Sequence, residues 1–536
     1  MSEDHRLLTT KFKDYDGALE SGSFSAAGFR STFENGAWWT FASLMMLATV
    51  CGSIWGYGAF SNVFREAGSG YMFTQTQIEM LAAFAVCGNY IVLDGGVIVS
   101  RYGTEVGLIL GVTMVAVGYF AIWLCVTVAR VPFAILALCF FTYGHGCGLT
   151  DNAAVTGLLA AFPDHVGSVM GCYKSLYGLS TAILTVSAAL LFESEPHKFI
   201  LMLSIYAMSV GAVTVSIVHR TKAIVSETTS RVKAKLFYVA CGIFIAATAV
   251  CLFSVRVNSM HLALKDAHKP LLILVFVCIL AGFALLWSVV SSVKTDLSQS
   301  EEVMQCHSPT NAHRDMTVAD MIRCIDFWLF FGMSIVGVGS CVMVVESAGQ
   351  MLPAFEGSAA SESVPAFLAV GSCFNCVGRV ISGNVSEWLK DQVPRSYFYA
   401  AANFANVLAF SLLASVGTSM IWIATALILF SFGWLWGLMP AMVYDLFGST
   451  DFSVKYAVIV LSGGAGALLF SSLLTGTVFD NEARRRHEFP FCYAPSCFEA
   501  SFVVAACCNA SAAFLGVLLC SRTRHVSEVN LSDKLN

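Results

Sequence analysis

Residues 94–103, Asp94-Gly-Gly-Val-Ile-Val-Ser-Arg101-Tyr-Gly103, join two apolar runs, 74–98 and 103–128. Each run has the roughly 20 apolar residues that bridge a hydrocarbon core about 30 Å thick. The junction packs an acid, a base and glycines into one short turn. A second junction, Gly378-Arg379-Val-Ile-Ser-Gly383-Asn-Val-Ser-Glu387, ends another apolar run, 362–386, with the same ingredients. A polar turn repeated at equivalent places between spanning runs indicates two related halves of a membrane protein.

Outward from these junctions, fourteen spans are expected, grouped six, two and six. The first six are 37–60, 74–98, 103–128, 131–161, 167–192 and 197–219. Two extra spans follow, 235–255 and 268–291. The last six are 320–349, 362–386, 394–416, 419–447, 454–479 and 499–521. The expected organisation is a tail 1–36, a six-helix repeat 37–219, linkers with two extra spans 220–319, a second repeat 320–521 and a tail 522–536. The fold class is an all-α polytopic membrane protein.

Composition agrees. Of 536 residues, 57% are hydrophobic and 12% charged, where soluble chains carry about 25% charged residues. Only 11 prolines suit long helices, and 43 glycines suit close helix approach. The net charge of −5 comes without a basic stripe, so no nucleic acid partner is expected. The partners expected are the bilayer and a small solute or ion; oligomeric state is not legible.

Lys and Arg are about twice as frequent in the termini and every second loop as in the opposite loops, which places both termini in the cytosol. Arg484, Arg485 and Arg486 fall on the other side. The polar first 36 residues hold no cleavable signal. Glu3, Leu7 and Leu8 form an acidic dileucine pattern, so the plasma membrane and an endolysosomal or vacuolar membrane both stand as locations. Most of the 19 cysteines lie in apolar runs and read as small apolar residues. Cys492 and Cys497 lie in a loop, where a disulfide and two free thiols are both open readings.

The doubled junction resembles the loop motif of the major facilitator superfamily, in which a carboxylate and a base latch helices across the cytosolic face. Further segments resemble its nodulin-like branch: Asn152-Ala-Ala-Val-Thr156, Phe162-Pro163, Gly167, Gly171, Lys174, Gly178-Leu-Ser-Thr-Ala-Ile183, Asp445-Leu-Phe447-Gly448 and Phe479-Asp480-Asn-Glu482. The resemblance implies two parallel six-helix repeats rocking about a central site. It also implies small solutes such as monocarboxylates, or iron handling. The chain departs at Glu346-Ser347, where the branch often has Asp-Asn.

Ionisable groups in spans are costly and face the bundle interior. His145, Asn152 and Thr156 share a helical face and form a polar stripe for the cavity; a histidine bonded to a neighbouring helix is the alternative. Asp151 turns away from His145 and is assigned to a helix latch or a proton site. Lys174 lies roughly 11 Å inside its span, with Tyr177, Thr181 and Thr185 on its face. It either holds an anionic substrate, pairs with Asp151, or snorkels. Asn375 is a substrate ligand or a helix–helix hydrogen bond. Tyr57, Trp434 and Trp436 are candidate path residues. Glu346 is an outer gate or proton site. Asp94 with Arg101, and Arg379 with Glu387, are assigned to the cytosolic latch. Cys373 and Cys376 read as packing residues rather than half of a metal site. His145, Asp151 and Glu346 are the metal candidates, and no cofactor is expected.

No G-x-x-x-x-G-K-[ST] or H-E-x-x-H sequence occurs, so neither ATP drive nor zinc hydrolase chemistry is indicated. The expected function is non-enzymatic: secondary active transport of a small polar solute, proton- or gradient-coupled, with an organic anion (monocarboxylate or amino acid) as substrate. Transition-metal transport, with a place in iron homeostasis, is the first alternative. A solute sensor that does not transport is the second.

Overall fold

The computed structural model describes residues 36–64, 71, 73, 75–128, 130–192, 195–221, 229–259, 315–416, 420–489 and 492–535. The dileucine pattern, the expected span 268–291 and most of the linker 292–319 lie outside the described residues.

The first half contains α1 (Gly36–Cys51), α2 (Gln75–Tyr90), α3 (Leu93–Tyr102), α4 (Thr104–Thr127), α5 (Phe133–Ala161), α6 (Val166–Leu191) and α7 (Pro196–Arg220). α8 (Thr229–Ser259) follows. The second half contains a short α9 (Val318–Arg323), then α10 (Ile325–Glu356), α11 (Val364–Trp388), α12 (Arg395–Val416), α13 (Ile421–Phe447), α14 (Phe452–Ala467), α15 (Gly476–Arg485) and α16 (Ser496–Leu535). Among the described residues, twelve helical runs are long and apolar enough to cross a membrane. α6 packs among them as a further bundle helix, although its serines, threonines and Lys174 make it more polar. The chain is an all-α membrane protein of two six-helix repeats, with one further span, α8, between them among the described residues.

Helices are the form an isolated bilayer segment takes, since every backbone polar group must be satisfied internally. Three departures from straight helices shape the site. α1 tightens into a 3₁₀ turn, Gly52–Ala59, where Gly52 lies so close to α6 that a Cβ would fall 1.8 Å from Ser180 Oγ. The second expected span is two helices, broken at Ile91 and Val92. At the break the Gly88 carbonyl lies 3.3 Å from His145 Nδ1. α14 passes through a π-helical stretch, Leu468–Thr475, into α15. This run reaches Arg485, beyond the expected end at 479, so Arg484 and Arg485 stand at the end of a helix rather than in a loop.

The halves meet along a seam in which α6 lies against α11 and α3 against α14. Gly171 and Gly383 form the α6–α11 crossing. α8 packs on both α6 and α11, so the extra span touches each half. Its Lys235 lies over the Trp38 ring, 5.1 Å from the centroid, and its Phe237 meets Trp388 at 6.0 Å.

Candidate functional site

A buried ion pair lies on the seam. Lys174 Nζ donates to both oxygens of Asp151, at 2.7 and 2.5 Å, and to Tyr456 Oη at 2.9 Å. Tyr173 Oη donates to Asp151 Oδ1 at 3.1 Å. The rings of Tyr173, Tyr177, Trp436 and Tyr456 surround the ammonium, with centroids 5.4 to 5.7 Å away. Asp151 and Lys174 come from α5 and α6, whereas Tyr456 and Trp436 come from the second half. Charges removed from water are tolerated only when paired and hydrogen-bonded, and this pair meets both conditions.

Arg379 is the second buried cation, 3% exposed. Its Nε donates to Asn375 Oδ1 at 2.7 Å and its NH1 to the Lys174 carbonyl at 3.0 Å. Its guanidinium lies 5.5 Å from the Tyr177 ring centroid. Among the described residues no carboxylate forms an ion pair with it. The expected latch with Glu387 does not form, because eight residues of helix separate the two side chains by about 12 Å.

Two small cavities flank Arg379, Trp55 and Phe432. The first is bordered by Asp151, Lys174, Tyr177, Asn152, Tyr90 and Trp436. The second is bordered by Thr181, Ser372 and Asn375. Each leaves about 30 Å³ free, room for a water but not for a solute of several heavy atoms.

One end of the seam is tied by a network. Glu387 Oε2 accepts from Arg395 NH2 at 2.6 Å and from the Gly167 amide at 2.8 Å. Glu387 Oε1 accepts from Lys390 at 2.7 Å. Arg395 NH1 reaches Asp445 Oδ2 at 2.5 Å. Nearby, Ser100 Oγ donates to Asp451 Oδ1 at 2.6 Å. Asn152 Nδ2 donates to the Ser453 carbonyl, and Ser453 Oγ to the Gly96 carbonyl, both at 2.9 Å. Glu387, expected to pair with Arg379, pairs instead with Arg395 and Lys390; Arg395 is not among the residues the sequence singles out. Arg395 opens its helix directly after Pro394, a place that reads as an ordinary basic span edge.

The other candidates separate. Asp94 pairs with His145 Nε2 at 3.1 Å, not with Arg101, which is exposed. His145 is thus held by α2 and α3 and does not border the central cavity, so the stripe with Asn152 does not line one surface. The two share a helical face, but α2 covers it at one level and the cavity opens at the other. Asp151 borders the cavity with Gly148 and Asn152, an i, i+3, i+4 face of α5, so the cavity meets the helix on the Asp151 side of Asn152 and away from His145. Tyr57 Oη donates to the Ile78 carbonyl at 2.9 Å, outside both cavities. Trp436 borders the first cavity and Trp434 borders neither. Glu346 is exposed on α10. Among the described residues no three His, Cys, Asp or Glu side chains gather to hold a metal ion, so His145, Asp151 and Glu346 form no cluster. Cys492 and Cys497 form a disulfide.

Outside the spans, burial pushes the His165 imidazole below its usual value, with Glu387 opposing and Lys390 adding to the effect. Asp315 accepts from the Thr450 amide and hydroxyl, at 3.1 and 2.6 Å, and those bonds hold its carboxyl below the usual range.

A model of the nodulin-like family matches residues 37–286, and a model of the NFD4 C-terminal domain matches 312–529. Similar solved structures include the fucose:proton symporter FucP of E. coli, at 12% identity and TM-score 0.50. Another is the major facilitator superfamily transporter FucP in the outward conformation, at 13% identity and TM-score 0.52. In both cases the likeness covers 90% of this chain and 97% of the other. At such identities it is a likeness of fold. Comparison with curated proteins by sequence finds no match.

Proposed function

We propose a transport function from one premise: the chain belongs to the nodulin-like branch of the major facilitator superfamily. It is a membrane transporter, and we read it as a secondary active carrier of a small organic anion, coupled to protons and working by alternating access. The observation that carries this reading is the seam site, where two buried cations, Lys174 and Arg379, face one carboxylate, Asp151. With all three ionised the site holds a net positive charge, which an anion neutralises. Contacts from both halves converge on it, as a rocking carrier requires.

The chemistry follows from the competition. A solute carboxylate entering the cavity takes hydrogen bonds from Lys174 and Arg379. Asp151 then loses its partner. An isolated buried carboxylate is costly, so Asp151 takes up a proton, and anion and proton cross together. The small free volume means that the cavity must widen to admit the solute, and the network at Glu387 and Arg395 is what one direction of opening has to break. We take that end as cytosolic, because it belongs to the side richer in Lys and Arg.

The test is uptake of radiolabelled acetate, propionate, lactate and glycine into proteoliposomes. An inward proton gradient is expected to raise anion uptake several-fold, and Lys174→Ala to abolish the rise. Uptake that ignores both the gradient and Lys174→Ala overturns the reading.

A further inference from the structure

Two residues that border the first cavity each carry a polar atom without a partner. Tyr90 Oη and Asn152 Oδ1 are buried and, among the described residues, make no hydrogen bond. Both residues are 1% exposed and both border this cavity. Their orientations are held by other contacts. The Tyr90 ring stacks on Trp436 at 5.9 Å and lies against Gly463 and Gly464. Asn152 Nδ2 is engaged by the Ser453 carbonyl, which assigns the oxygen to the free end. Burying a polar atom without a partner costs about 1–3 kcal/mol, so something polar satisfies these two in the working protein.

The pair is complementary: Tyr90 offers a donor and Asn152 an acceptor. A carboxylate oxygen accepts from Tyr90 but leaves Asn152 Oδ1 unanswered, and an ammonium can donate to both atoms but leaves the Tyr90 proton idle and is repelled by Lys174 and Arg379 on the same cavity. A hydroxyl answers both, accepting from Tyr90 Oη and donating to Asn152 Oδ1. Lys174 and Arg379 border the same cavity. We infer that the carrier selects hydroxylated carboxylates, with the carboxylate on the cations and a hydroxyl between Tyr90 and Asn152. This rests on the anion reading above and narrows it. A site built to bond a hydroxyl rejects the analogue that lacks it far more strongly than a hydrophobic pocket rejects an added one.

The experiment measures binding of matched acids to the purified full chain in nanodiscs: lactate against propionate, and glycolate against acetate. The hydroxy acid is expected to bind at least about tenfold tighter. Tyr90→Phe keeps the ring on Trp436 and is expected to reduce the preference below about threefold. Asn152→Leu is expected to reduce the preference likewise where it folds; because it also removes the bond to the Ser453 carbonyl, only the ratio within each acid pair is read from it. Equal binding of the paired acids, with Lys174→Ala weakening both, overturns the inference and leaves the anion reading standing; it would mean that an ordered water satisfies the two atoms. A preference that survives Tyr90→Phe also overturns the inference. If none of the four acids binds, the anion reading fails and takes the inference with it.

Discussion

Gly171 and Gly383 meet backbone to backbone across the seam: a Cβ on Gly383 would lie 2.6 Å from Gly171 Cα. Such crossings let α6 and α11 approach closely enough for dispersion contacts to hold them in lipid. A methyl group has no room there and meets backbone, which does not yield. Gly383→Ala should therefore disfavour the closed seam by about 1–3 kcal/mol. The expected result is faster hydrogen exchange in residues 166–174 and 380–388, with exchange in the lipid-facing α4 unchanged. Unaltered exchange at the seam would show that the glycines are not what sets its distance.

Glu387 and Arg395 form the centre of the latch, and both are nearly fully buried. Removing one partner of a buried pair costs about 3–5 kcal/mol, because the other charge is left in place. Glu387→Gln strands Arg395 between Asp445 and an amide. Its melting temperature should fall clearly, and its exchange at the latch end should rise. Arg395→Leu added to Glu387→Gln should recover part of the loss. Strictly additive losses in the double variant would argue that the two residues act independently.

The sequence carried the spans and the doubled junction because a bilayer makes hydrophobic length compulsory. It carried Lys174 and Asp151 because charges within apolar runs stand out. Their partners were harder. Arg379 was assigned to Glu387 from nearness in the chain, yet the bundle turns it into the cavity and gives Glu387 to Arg395 on the next helix. Helical periodicity ranks positions around one helix. It does not say which face of the helix meets the cavity, which is why the sequence favours His145 for it where the fold presents Asp151. Tyr90 was invisible: a tyrosine in an apolar run is ordinary, and only its unpartnered hydroxyl in the folded chain marks it.

His165 sits buried between α5 and α6 at the latch end, close enough to feel both Glu387 and Lys390. Burial lowers its folded pKa beneath the unfolded value near 6.5. The unfolded chain therefore binds the extra proton first. Stability from neutral His165 is complete above about pH 6.5 and declines as pH falls below it. The melting temperature should drop between about pH 6.5 and 5, and His165→Gln should flatten that part of the profile. An unchanged acid limb in the variant would assign the decline to other groups.

Asp151 and Lys174 make opposite demands on stability and transport, which separates their roles. Lys174→Met leaves a buried carboxylate without its cation and should cost about 3–5 kcal/mol. Asp151→Asn leaves the ammonium among four aromatic rings, which offset part of the loss, so it should be the milder change. The double variant removes both charges and should be more stable than Lys174→Met, since a well-packed neutral pair often equals a buried salt bridge. Transport should not follow this order. Asp151→Asn keeps both cations and should still exchange labelled anion across the liposome membrane, but without response to a proton gradient. The double variant should move neither. Gradient-driven uptake by Asp151→Asn would remove Asp151 from proton coupling and send the search to the His145–Asp94 pair at the α2 break.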